Sequence, residues 1–261
     1  MCFESTARPP LPPIAGGAGS VHGEDIVLRA ADGNRLAAFS ARAATGVTGR
    51  PGIVILPDVR GLHDFYRELA IRFAGAGVHA TAIDYFGRTA GIGTSDARGD
   101  DFEYMPHVQQ AGPDTIAFDT AAGVEYIRSP EGGAADAVFT VGFCFGGRNS
   151  LNQAARGHGL AGVIGFYGMP QQRSNNDTNA PIALVGSYTC PVLGLFGGDD
   201  HATTLDDIEG FRRALDAAGV KNEIVVFKGA PHSFFDRNYA QYREECNEAW
   251  RRMLQFIHDL S

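Results

Sequence analysis

No stretch of this chain reaches the ~18 uninterrupted apolar residues that a membrane-spanning helix needs, so no transmembrane segment is expected. The opening MCFESTARPPLPPIAGGAGS also lacks the apolar run of a signal peptide. Cys2 is not expected to be a lipoprotein anchor, because a lipobox needs an apolar region before the cysteine and only Met1 precedes it here. Cysteine is scarce: Cys2, Cys144, Cys190 and Cys246 lie far apart. There is no CxxC pair and no zinc-ribbon spacing, and four thiols in 261 residues cannot make a disulfide scaffold. Reduced thiols in a cytoplasmic protein are expected. Positive charge is short as well, with 22 Lys+Arg against 30 Asp+Glu and a net charge of −8. That balance argues against nucleic acid or an anionic membrane surface as partner. It leaves room for an anionic small molecule, which a local arginine can receive. No internal repeat is visible.

Glycine is what the chain has in excess, at 34 of 261 residues or about 13%, against a typical ~7%. Turns, tight packing or close backbone approach have to account for it. The Pro/Gly-rich residues 1–22 predict an extended lead-in laid over the surface, and 23–261 a single domain. DIVLRA (25–30) and RLAAFSA (35–41) flank Asp32-Gly33, a hairpin signal. GIVILPD (52–58), HATAIDYF (79–86), AVFTVGF (137–143), VIGFYG (163–168), VLGLFGG (192–198) and EIVVFKG (223–229) read as further strands. Helical spacing marks 65–77, 114–129 with Asp114 as cap, 148–157, 205–219 and 242–260. Strands alternating with helices predict a doubly wound, mostly parallel α/β sheet with antiparallel strands at the N-terminal edge. The polar segment 87–112 is too long for plain scaffold and is expected to be functional.

GFCFGG (142–147) falls between a strand and a helix. Gly142-x-Cys144-x-Gly146 has the form of a nucleophile elbow with cysteine in the serine position. A turn that sharp forces the residues two before and two after it together, and only a very small side chain fits there; Gly142 and Gly146 supply that space. Gly147 lets the helix pack closely on the sheet. The helix N-terminus points its positive end at the sulfur, and the N–H of Phe145 is placed for an oxyanion. The bland alternative is a buried structural cysteine, the usual fate of a free thiol. Glycines at −2, +2 and +3 in strand–helix context weigh against it. No Lys-Ser/Thr follows, so a phosphate loop is not matched.

The remaining triad members should follow in the order acid, then histidine. Of His201, His232 and His258, His232 sits in a Gly/Pro loop after a strand, where such sites form. His258 reads as a solvent-facing helix residue. Asp199 and Asp200, after VLGLFGG, are both candidates for the acid that orients the imidazole. A metal site on Asp199, Asp200 and His201 is disfavoured, because consecutive residues rarely converge on one ion.

Together ILPDVRGL, GFCFGG, LFGGDDH and GAPHSF, over about Asp25 to Leu260, resemble the dienelactone hydrolase family of cysteine α/β-hydrolases. The resemblance implies Cys144 as nucleophile, His232 as base and Asp200, rather than Asp199, as acid. It implies the N–H groups of Val59 and Phe145 as oxyanion donors, and Asp58 as the acid that activates the thiol. Asp58 stands where the best-known members carry the longer glutamate. Those members also hold a substrate carboxylate with arginines, one of them four residues beyond the histidine. Here that position is Asp236, with Arg237 next, and segment 98–110 is acidic where an arginine is wanted. Arg60, Arg88 and Arg98 are the substitutes to consider. The reading is a hydrolase of a small lactone or activated ester, without cofactor or metal, acting as a monomer or small homo-oligomer. A non-catalytic ligand-binding or regulatory member of the fold and an acyltransferase with the same triad are the alternatives.

Overall fold

The computed structural model describes residues 7–13, 21–43, 50–93, 98, 101–174, 176–236 and 238–261. Cys2 and Arg237 lie outside the described residues. Eight strands form one sheet in the order β1-β2-β4-β3-β5-β6-β7-β8. They are β1 (His22–Arg29), β2 (Arg35–Arg42), β3 (Gly52–Leu56), β4 (His79–Ile83), β5 (Val138–Phe143), β6 (Gly162–Phe166), β7 (Val192–Gly197) and β8 (Asn222–Phe227). The β1–β2 and β2–β4 pairs are antiparallel, and all the others are parallel. The leading hairpin turns at Gly33, whose φ of 88° suits glycine.

β3 and β5 are buried along their whole length, which matches their continuous apolar sequence. Their side chains alternate between two cores. Ile53, Ile55, Phe139 and Val141 pack with α1 (Asp64–Gly75) and α8 (Arg243–Asp259). Val54, Leu56 and Val138 pack with α4 (Pro113–Arg128) and α7 (Leu205–Ala217) on the other face. α1 is capped by His63, whose Nδ1 accepts from Phe65 N–H, and α7 by a Thr204–Asp207 capping box.

Asp114 does not cap α4. Pro113 takes the first helical position, so the cap is Gly112, and Asp114 lies exposed in the first turn, 3.1 Å from Arg156. The lead-in does more than cover surface. Pro9 and Pro10 are buried, and Pro10 C=O accepts from Trp250 Nε1 at 2.9 Å. β1 already begins at His22, inside the expected lead-in. The connection 87–112 carries two short helices the sequence pattern did not show, α2 (Gly87–Ala90) and α3 (Met105–Gln110). α5 (Phe145–Asn152) starts three residues earlier than helical spacing suggested, and α6 (Pro181–Leu184) is a further short turn. No helix among the described residues is long and apolar enough to cross a membrane.

Candidate active site

β5 ends at Phe143 and α5 begins at Phe145, with Cys144 between them at φ 55° and ψ −113°. That conformation costs an L-residue of order 1–3 kcal/mol and persists only where neighbours enforce it. Here the glycines allow it. A Cβ on Gly142 would overlap the carbonyl of Gly146; one on Gly146 would overlap the carbonyls of Leu56 and Pro57 at the end of β3. On Gly147 it would strike Phe166 C=O in β6. The turn is stitched by Cys144 N–H to Phe166 C=O and by Arg148 N–H to Cys144 C=O, each 3.1 Å.

The acid and the imidazole come from neighbouring strand ends. Gly198 N–H donates to Phe227 C=O and Asp199 N–H to Ala230 C=O, so the loops after β7 and β8 are zipped together. Asp200 is buried; its Oδ1 accepts from Ala202 N–H at 2.8 Å and its Oδ2 lies 2.7 Å from His232 Nδ1. A carboxylate can only accept there, so the proton sits on Nδ1 and Nε2 is left as the basic nitrogen. Asp199, His201 and His258 are exposed. Among the described residues no three His, Cys, Asp or Glu side chains cluster to hold an ion.

The loop after β3 is held from beneath. Tyr85 OH donates to Pro57 C=O and Asp58 C=O, while Asp58 N–H donates to Tyr66 OH at 2.9 Å. Burial first, then the Asp58 carboxylate, pushes the Tyr85 hydroxyl well up, so it stays a neutral donor. Asp58 itself is buried, and its Oδ1 accepts from Arg60 N–H at 2.9 Å. His63 Nε2 approaches that oxygen to 3.9 Å. Burial, then the charges of Arg60 and Arg67, pull His63 down to about 3, so it meets Asp58 as a neutral ring and not as an ion-pair partner.

Cys144 and His232 open into one cavity of about 220 Å³, lined also by Val59, Phe145 and Tyr167. α3 contributes Met105 and Val108, which gives part of the long connection its place at the site. The structure does not bring Arg60, Arg88 or Arg98 to this wall. Arg60 is buried. Arg88 is locked between Asp119 and Asp32, at 2.7 and 2.6 Å. Arg98 grips Asp84 with both terminal nitrogens, as a buried guanidinium must be gripped. Among the described residues the arginines that do line the cavity are Arg148 and Arg173. Arg148 lies one helical turn beyond Cys144, a spacing that could have flagged it; no local pattern marks Arg173. Asp236, four residues beyond His232, is buried and accepts from Tyr167 OH.

A mostly parallel sheet with a strained elbow after β5, and an Asp–His pair on the loops after β7 and β8, define an α/β-hydrolase. The match is to one family within that fold. The model of the dienelactone hydrolase family covers residues 37–261, and the chain belongs to that family. It is 27% identical over 231 residues to the Escherichia coli (strain K12) protein named "Putative carboxymethylenebutenolidase", covering 86% of this chain and 83% of the relative. It is 27% identical over 230 residues to a Bradyrhizobium protein named "Probable 2-oxo-3-(5-oxofuran-2-ylidene)propanoate lactonase", covering 87% and 90%. The crystal structure of a "Putative Dienelactone Hydrolase" from Klebsiella pneumoniae superposes with a TM-score of 0.79 at 26% identity, covering 92% of this chain and 99% of that one. The protein is a hydrolase of this family.

Proposed function

We propose that the enzyme opens a small lactone or activated ester through a thioester on Cys144. The observation that carries this is Cys144 on its strained turn, facing the same cavity as a histidine whose Nδ1 is held by buried Asp200. Sγ attacks the carbonyl carbon as its proton passes to His232 Nε2. The N–H groups of Val59 and Phe145 receive the oxyanion. The acyl C–O bond breaks, and the leaving oxygen takes the proton back from His232. His232 then draws a proton from water, whose oxygen attacks the thioester carbon; the C–S bond breaks, the acid is released and the sulfur takes the proton back from His232. Asp58 is a second candidate acceptor for the thiol proton, but its Oδ1 is already engaged with Arg60 N–H, and we assign it to holding the oxyanion loop. A thiol nucleophile has to stay reduced, which favours the cytoplasm.

Iodoacetamide tests the nucleophile directly. Cys190 and Cys246 are buried; burial pushes the Cys190 thiol up to about 12 and raises Cys246 as well. Cys144 is half-buried and opens on the cavity. Peptide mapping of native protein should therefore find Cys144 alkylated ahead of Cys190 and Cys246. Equal labelling of Cys144, Cys190 and Cys246 removes the basis for the assignment.

The cavity wall also points to an anionic substrate end, in keeping with the carboxylate in the propanoate lactone named for the Bradyrhizobium relative. Among the described residues its lining has two arginines and no acidic side chain. Arg148 is spent on Met169 C=O, Gln171 C=O and Asp177. Exposed Arg173 touches Met169 Sδ and, among the described residues, is the cation we assign to the mouth. R173Q should raise KM about tenfold for a carboxylate-bearing ester while leaving its neutral methyl ester nearly unchanged. Parallel losses on both substrates would remove Arg173 as the carboxylate site.

A further inference from the structure

We propose that Tyr167 and Asp236 form a positioning pair for His232, a second support separate from Asp200. This rests on the reading of Cys144 and His232 given above. Tyr167 follows β6 directly, at φ 36°, and its N–H donates to Leu195 C=O in β7. Its ring centroid lies 4.9 Å from that of His232, with the planes at 55°. Its hydroxyl donates to Asp236 Oδ2 at 2.7 Å. Asp236 closes the turn that follows His232, since its N–H reaches Ser233 C=O at 3.3 Å. Ser233 is held at φ 61°. Three of the four described non-glycine residues with positive φ, Cys144, Tyr167 and Ser233, thus gather at this site.

Asp200 and the Tyr167 pair restrain different freedoms. The bond to Asp200 sets the tautomer and the direction of the Nδ1–H vector. A single hydrogen bond leaves the ring free to tilt about that vector. The tilted ring contact with Tyr167 opposes that motion, provided Tyr167 is itself fixed. Its ring is clamped at the far end by a charge-assisted bond to a buried carboxylate, an arrangement stronger than neutral pairing and costly to keep without purpose. Phe234 and Phe235, between His232 and Asp236, pack on Phe166 and tie the same turn to β6. Packing alone would be met by phenylalanine at 167 and an apolar side chain at 236. The hydroxyl and the carboxylate instead lock one geometry of tyrosine, turn and imidazole together.

The test is a set of four purified variants assayed on a neutral aryl ester, with melting midpoints as control. Y167F keeps the ring and removes the bond; D236A removes the acceptor; D236N keeps an acceptor oxygen without the charge. Y167F and D236A should each lose about tenfold in kcat with KM within about twofold, because misplacement of a catalytic group weakens the transition state and not ground-state binding. D236N should lose clearly less than D236A. Wild-type kcat in Y167F, equal losses in D236N and D236A, or losses that merely follow an unfolded fraction would each overturn the pair. C144A separates the two levels. If C144A still turns over, the thioester reading fails and this inference with it. If C144A is dead and Y167F is unimpaired, the positioning pair alone is wrong.

Discussion

Replacing Cys144 by alanine is expected to lower turnover of an aryl ester or lactone by at least about 10⁴-fold, with the fold intact. The alanine methyl occupies the site of Cβ, so the strained backbone and the cavity walls stay as they are. What goes is the only group on this turn that can form an acyl intermediate. A substrate that still binds, seen by calorimetry or by protection of the cavity, together with lost turnover, is the outcome the thioester mechanism requires. Turnover within tenfold of wild type would move the nucleophile elsewhere. Binding without turnover in the unaltered protein would instead favour a ligand-binding role on the same fold.

The second large effect concerns glycine. G146A should cost at least about 3 kcal/mol of stability or prevent folding altogether, read from denaturant midpoints. The added methyl would overlap two carbonyl oxygens of β3's exit, Leu56 and Pro57. Both belong to backbone, which cannot swing aside as a side-chain tip can. The same exit carries Asp58 and Val59, so any relief by moving it would also shift the loop we propose as an oxyanion donor. Substitution at Gly210, where a Cβ meets nothing within 4 Å, provides the matched control and should leave the midpoint near wild type. A folded G146A with an unchanged midpoint would show that the elbow does not depend on close approach.

These two substitutions also mark how differently parts of the site are written in the chain. The elbow is local. Glycines at 142, 146 and 147 around Cys144 are legible as a motif, because the steric demand that selects them is met within six residues. The strands are legible for a similar reason: β3 and β5 are buried on both faces, and uninterrupted apolar runs are what two-sided burial demands. The short helices α2 and α3 are different. They hold four and six residues, too few for a period to show, and their place is decided by what they pack against. Asp114 misled because an acidic residue near a helix start resembles a cap, while the proline before it had already claimed the first position.

The arginines show the limit most clearly. Arg60, Arg88 and Arg98 lie in suggestive segments, yet Arg88 and Arg98 are committed to Asp32, Asp119 and Asp84, carboxylates 14 to 56 residues away in sequence. Arg148 and Arg173 reach the cavity instead. From residue types, spacing and order alone came the doubly wound class, the elbow, and the candidates Cys144 and His232 with an acid at Asp199 or Asp200, each a short-range demand of backbone geometry or strand-to-helix order; the family resemblance pointed to Asp200. Only the tertiary structure decided which arginine faces substrate space and which aspartate meets the imidazole at 2.7 Å. It alone set Asp236 against Tyr167. Those are questions of where a side chain ends, and a charged side chain ends where the folded chain offers it a partner.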